Sequence, residues 1–442
     1  MRLSREGLAG TVVLTWVLCV PWVSSQASGP WTLAGALEEA LAGHPDAEEQ
    51  RARLAAAEAA YREAAASLLP RVDVKVNYMQ TTNPMQGFGS ILSQGSFDNS
   101  LDFNDPGQLD GLTGALEGRY RIYSGGARKA GIDAAAAMRE AGEYRVKAAE
   151  HGLEDAVVGA YFGIKQADEI VRSIEAGIRV LEENVRVSKV REETGELIRT
   201  ERLNLEVQLA AMERERLGAE HGARLARFRL GYLLGLPPGT EIELASGDPS
   251  VEGIRMPPEM SIRNRPELQA AEAGLEAAAK QVKGARAGHL PSVDAYASWQ
   301  ADKGWRREGD GTSWTAGLVL SLPVFDGFTT RAQVAGAKAR ERVAAEQLRR
   351  MELAFEVELE EARLGHELAR AQKEVARKQV SQAEEAAELS RERFAAGTLL
   401  STELIGVESR LVDARVQLAL ATARERTALA HLRRVAGYPV LD

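Results

Sequence analysis

One cysteine, Cys19, stands in 442 residues, and it lies inside an apolar run close to the N-terminus. Internal disulfides are therefore excluded, and removal of that run would take away the only thiol and with it any cysteine chemistry. Aromatic residues are scarce at 5%, against 27% charged, and long stretches consist almost wholly of Ala, Glu, Arg, Leu and Gln. That is the composition of long helices rather than of the two or three compact domains such a length usually forms. The six histidines, His44, His151, His221, His289, His366 and His431, are isolated from one another in the sequence. They form no His-x-x-x-His or Glu-x-x-His pair, and no phosphate-cradling glycine loop occurs, so no metal, cofactor or catalytic residue is expected. A formal net charge of -9, with no basic patch interleaved with aromatics, excludes nucleic acid as a partner. Past the N-terminus no segment offers 18 consecutive apolar residues, so any passage through a membrane must use strands.

The N-terminus has the layout of a secretory signal over residues 1–27. Arg2 and Arg5 precede an apolar run from Leu8 to Val23, and Ser25-Gln26-Ala27 supplies small residues for cleavage before Ser28. An uncleaved anchor and a lipid on Cys19 are the other readings. The run is short for a span, and Leu18 is a poor small-residue neighbour for lipidation.

What the chain does have is a duplication. Pro45 and Pro70 recur as Pro266 and Pro291, with Leu-Pro-x-Val-Asp at Leu69–Asp73 and again at Leu290–Asp294. Gly125, Gly195 and Gly235 recur as Gly327, Gly397 and Gly437, each 202 residues later. The offset at the Leu-Pro motifs is 221, so the first copy carries 19 extra residues (221 minus 202) between positions 74 and 122. The copies are read as 28–235 and 265–442, joined by a linker over 236–264.

Each copy predicts the same elements. The first gives a helix over 32–68, broken at His44-Pro45, strands over 71–79 and 114–123, and helices over 127–193 and 197–234. In the second, a helix covers 266–289, strands cover 292–300 and 314–322, and helices cover 329–395 and 399–436. The strands alternate: Val72, Val74 and Val76 on one face against Asp73, Lys75 and Asn77, then Leu116, Tyr120 and Ile122 against Glu117, Arg119 and Arg121. In the second copy Val293 and Trp299, then Trp314, Leu318 and Leu320, supply the apolar face. The 80–113 segment, rich in Gly, Asn and Ser, reads as an unstructured surface loop, with a partial lid as the other reading. Two long helices of roughly 100 Å each exceed any globular helix. Ala362, Ala369, Ala376 and Ala383 repeat every seven residues as a close-packing seam, and Leu364, Leu368, Ala371 and Val375 make a second seam on another face.

Strands of about nine alternating residues have the length of a tilted transmembrane strand. Four of them leave open edges, so in lipid they must close with strands of other protomers. Two protomers give eight strands, whose interior side chains fill; three give twelve and room for an aqueous lumen. Trp299, Trp305 and Trp314 cluster on or beside one strand pair, as in a membrane girdle. A hairpin on a soluble core shows the same alternation, so a secreted, soluble coiled-coil scaffold without a pore is the alternative.

The Leu-Glu-Glu-Ala-Leu opening (Leu37–Leu41), the Leu-Pro strand entrances, Leu-Ser-Leu-Pro-Val-Phe-Asp-Gly (Leu320–Gly327) and Arg393–Leu404 together resemble the TolC-type outer-membrane factors over residues 32–442. The resemblance implies a mainly α fold with a small β part. A homotrimer would form a twelve-stranded barrel in outer-membrane lipid, continuous with a periplasmic α-helical barrel. It also implies passive export from an inner-membrane pump through a periplasmic adaptor, or membrane fusion, protein, in an efflux or type I secretion system. By position, Gly195, Thr200, Leu203, Gly397, Ser401, Thr402 and Leu404 match the tips that contact the adaptor. Glu201 and Glu403 match the periplasmic aperture. The family's second acidic position falls on Gly406 here, with Glu408 nearby.

Overall fold

The computed structural model describes residues 29–102 and 104–441; the expected signal peptide, Cys19 and Phe103 lie outside the described residues. Thr32 accepts a hydrogen bond from the Gly35 amide (3.1 Å) and so caps α1 (Leu33–Gly43). His44 ends α1 and its Nδ1 accepts from the Asp46 amide (3.2 Å), opening α2 (Pro45–Ala66) with Pro45 where no N–H is needed. The predicted 32–68 stretch is therefore two helices. From α2 the chain enters β1 (Arg71–Thr81).

The segment expected to be structureless is not. Asn83 accepts from the Met85 and Gln86 amides and starts α3 (Pro84–Ser93). Ile91, Leu101 and Leu109 then bury one another beneath it. β2 (Leu109–Tyr123) begins five residues before the expected 114. In the second copy β3 (Ser292–Gly304) and β4 (Gly309–Ser321) extend until only residues 305–308 remain as the turn.

The remaining helices are α4 (Ala127–Glu193), α5 (Arg199–Leu233), α6 (Pro266–Arg286), α7 (Thr329–Ala395) and α8 (Ser401–Val435). α4 and α7 have 67 residues each, so both are roughly 100 Å rods at 1.5 Å per residue. Each starts from a left-handed residue at equivalent positions of the two copies, Gly126 (φ 88°) and Phe328 (φ 67°). Phe328 is the one non-glycine among the described residues with positive φ.

The rods lie side by side. Toward the sheet, α2 and α6 pack on α4, and α6 packs on α7; toward the far end, α5 and α8 pack on α4, and α8 packs on α7. Of the first seam, Ala362, Ala369 and Ala376 are buried and Ala383 is half-buried. On the other face of α7, Leu364 (50% exposed), Leu368 (59%) and Val375 (56%) are bare. The four strands form one antiparallel sheet in the order β1-β2-β3-β4, leaving β1 and β4 as edges unpaired among the described residues. No helix among the described residues is long and apolar enough to cross a membrane.

The 236–264 linker is built into the body. Trp31 bridges Leu244 in parallel, its N–H donating to the Glu243 carbonyl (2.7 Å). Asp248 is buried and accepts from the Leu33 amide (2.7 Å), the Tyr161 hydroxyl (2.7 Å) and Ser250. Its carboxyl is subject first to burial, which raises its pKa. The hydrogen bonds from Ser250, Leu33 and Tyr161 outweigh that burial and hold it below the usual carboxylate range. Burial, then the bond to Asp248, pushes the Tyr161 hydroxyl far up. Beside this, Arg265 is buried, its guanidinium 3.6 Å from the centre of the Phe355 ring, and it pairs with Glu358 (2.6 Å) and Glu267 (3.2 Å). The pair with Glu358 ties α7 to the start of α6.

Candidate functional site

Strand register sorts the sheet into two chemically distinct faces. One row crosses all four strands as Val74, Leu116, Trp299 and Trp314, directly opposite one another in sequence. Val72, Val76, Tyr120, Leu318 and Leu320 share that face, and Val293 pairs with Leu320. Apart from half-buried Val293, these side chains are exposed, up to 77% at Trp314. Ile122 is the exception in register: a β-bulge between Arg121 and Tyr123 leaves it without a cross-strand partner, and Tyr123 takes the place opposite Val293.

The opposite face is polar. Its rows include Asn77, Thr113, Asp302 and Gly311, and Asp73, Glu117, Ser298 and Thr315. Lys75 donates to Glu117 (2.8 Å), Arg121 to Asp294 (2.7 Å), and the Thr113 hydroxyl to Asp302 (2.6 Å). A sheet whose apolar side no other described residues cover, with ion pairs on the opposite side, has the polarity of a barrel wall between lipid and water.

The second site is the far end of the rods, where α4 turns into α5 and α7 into α8. Gly195 (φ 79°) and Gly397 (φ 76°) make the two reversals. At Gly397 a Cβ would also come within 2.7 Å of the Arg191 guanidinium. Arg191 reaches from the first tip to the second, donating to the Phe394 carbonyl (2.8 Å) with its guanidinium 5.8 Å from the Phe394 ring centre. Glu201 answers it, accepting from the Ser401 amide (2.8 Å) and hydroxyl at the first turn of α8. The two tips are thus latched together within one chain.

This latch sorts the tip residues expected to act alike. Thr200, Leu203 and Thr402 are exposed, as are both glycines. Ser401 and Leu404 are fully buried, Leu404 in a cluster with Ile174, Ile178, Leu181, Leu205, Met212, Phe394 and Val412. Their side chains hold the tip together and offer no surface of their own. Glu201 is engaged by Ser401, whereas Glu403, its counterpart in the second copy, is exposed and makes no hydrogen bond or ion pair among the described residues. Glu408 is not a free carboxylate either: it is buried and takes both oxygens' bonds from Arg391 (2.5 and 2.8 Å). The contact of Arg191 with Phe394 has no local pattern in the sequence, because the two residues lie 203 apart. No group of three His, Cys, Asp or Glu side chains among the described residues could hold a metal ion.

The outer membrane efflux protein family profile matches residues 36–236 and 258–438. Protein CyaE of Bordetella pertussis is 29% identical over 330 residues, which span 72% of this chain and 69% of that protein. The pyoverdine export outer membrane protein OpmQ of Pseudomonas aeruginosa is 25% identical over 409 residues, 90% of this chain and 83% of OpmQ. In fold the chain is similar to the outer membrane protein VceC of Vibrio cholerae, with a TM-score of 0.76 at 21% identity over 92% of this chain and 96% of that one. The two matched blocks take in most of the described chain and carry the assignment. The chain belongs to the outer membrane efflux protein family.

Proposed function

We propose that three copies of this chain close head to tail into one exit duct. In it, β4 of one protomer pairs with β1 of the next, and the bare α7 seam packs on the α2/α5 side of its neighbour. As a family member the chain is a non-enzymatic outer-membrane exit channel with its helical mass in the periplasm. The observation that carries the closure is that both open edges, β1 and β4, flank a sheet whose apolar face is uncovered. Unpaired strand edges are costly in lipid, and only a closed ring removes them. A heterologous edge-to-edge contact that closes gives a cyclic ring, and three copies of four strands give twelve.

In that ring the apolar row meets outer-membrane lipid and the polar rows line water. The exposed tip residues Gly195, Thr200, Leu203, Gly397 and Thr402 meet the periplasmic adaptor, which connects to an inner-membrane pump that supplies the energy. Three copies of Glu403 gather at the periplasmic mouth, favouring cations over anions. Replacing Glu403 with Ala is expected to lower cation preference in planar bilayers. Currents identical in reversal potential and conductance would remove Glu403 from that role.

A further inference from the structure

The 19 residues by which the first copy exceeds the second fall within the 74–122 segment that contains α3, and the sheet is shaped to receive that segment on one particular face. At Gly304, Gly309 and Gly311 a Cβ would collide with the Gln94 amide, the Ser96 hydroxyl and the Ser93 carbonyl respectively. At Gly111 it would come within 2.9 Å of the Gln94 side-chain nitrogen. Register places Gly304 opposite Gly309, and Gly311 opposite Asp302, which in turn faces Thr113. All these glycines therefore point to the polar face of the sheet, the side of Lys75, Glu117 and Asp294. Gln94 is buried there and donates to the Asp110 carbonyl (3.2 Å), while the Ser96 hydroxyl reaches the Glu308 carbonyl (3.3 Å).

Topology says which end this is. The opposite ends of the strands, at Arg71, Tyr123, Ser292 and Ser321, lead to the helices, so the end carrying α3 is the one remote from the periplasmic rods. We propose that residues 84–101 of each protomer fold inward over the polar face and form a fixed constriction at the outer mouth of the channel. This rests on the three-protomer barrel proposed above. The constriction is not a loose loop. It is seated on glycines of the second copy and closed by the Ile91, Leu101 and Leu109 cluster. The second copy has no equivalent, since its strands are joined by residues 305–308 alone.

The test is access from outside the cell to a cysteine placed below the constriction. Ser298 lies on the polar face six residues from Gly304, roughly 20 Å down the strand. In Ser298→Cys, a small maleimide is expected to label the thiol, and a maleimide carrying a bulky polyethylene glycol, added to intact cells, is expected to be excluded. Replacing residues 84–101 by a short Gly-Ser linker should speed the bulky reaction by roughly tenfold or more, because pore diameter then no longer limits the larger reagent. Ile91→Asp, which opens the cluster without shortening the chain, should act in the same direction if the deletion does not assemble. Bulky labelling that is equally fast with and without the insertion overturns the constriction. Failure of the small reagent at Ser298 instead denies an aqueous lumen and overturns the barrel on which the constriction depends.

Discussion

Glu201 and Glu403 hold the same place in two copies of one motif, yet one carboxylate is latched to Ser401 and the other stands in solvent. What a residue does at the tip follows from whether it faces the sister tip of its own chain. Leu404, with no exposed surface, should cost about 2–5 kcal/mol when cut to Ala. Thr402→Ala, two residues away on the exposed side, should stay within about 0.5 kcal/mol. Thermal melts of the detergent-solubilised protein, with hydrogen exchange along the first turns of α8, separate the two. Asp248 gives the acid dependence. Its folded pKa lies below its unfolded value, so its contribution is complete at neutral pH. It is lost as pH falls through about 4 and below, where the unfolded carboxyl already binds its proton. Asp248→Asn should therefore lower the melting temperature at pH 7 and narrow the gap to wild type at pH 3. A gap that is constant with pH would contradict a charged role.

Among elements, α7 shows both of its seams: one spent on α8, one bare. Leu368→Asp places a charge on the bare seam, so each chain should keep its helix content by circular dichroism while assembly is lost. An assembly that survives intact would mean that this face meets water. The buried seam and the four strands were legible from the sequence because seven-residue and two-residue periods are set by the geometry of a helix seam and a pleat. The bulge that displaces Ile122 was not, since one extra residue in a strand leaves the alternation on either side unbroken. α3 gives a weak helical signal because glycines interrupt its apolar residues. Asn83-Pro84 was nonetheless a start signal, a cap followed by proline at the first helical position. The Arg191 to Phe394 latch, between two copies far apart in the chain, had no signal at all.

For the whole molecule, the two like halves leave one chain with two open sides, which the ring proposed above would close. Two copies make a four-stranded strip and a strip of side-by-side rods, each with two unlike edges, and the strips are joined where the strands enter the helices. Each strip leaves part of its apolar surface open: Val74, Trp314, Leu318 and Leu368 are all more than half exposed in a single chain. Contiguous bare patches of this kind mark interaction surfaces, and the ring proposed above would cover these with lipid and with neighbouring copies. Native mass spectrometry of the detergent-extracted protein tests that ring most directly. A particle of three chains, stable only with detergent around the strands, is the result this account predicts. A monodisperse single chain that stays soluble without detergent would contradict it.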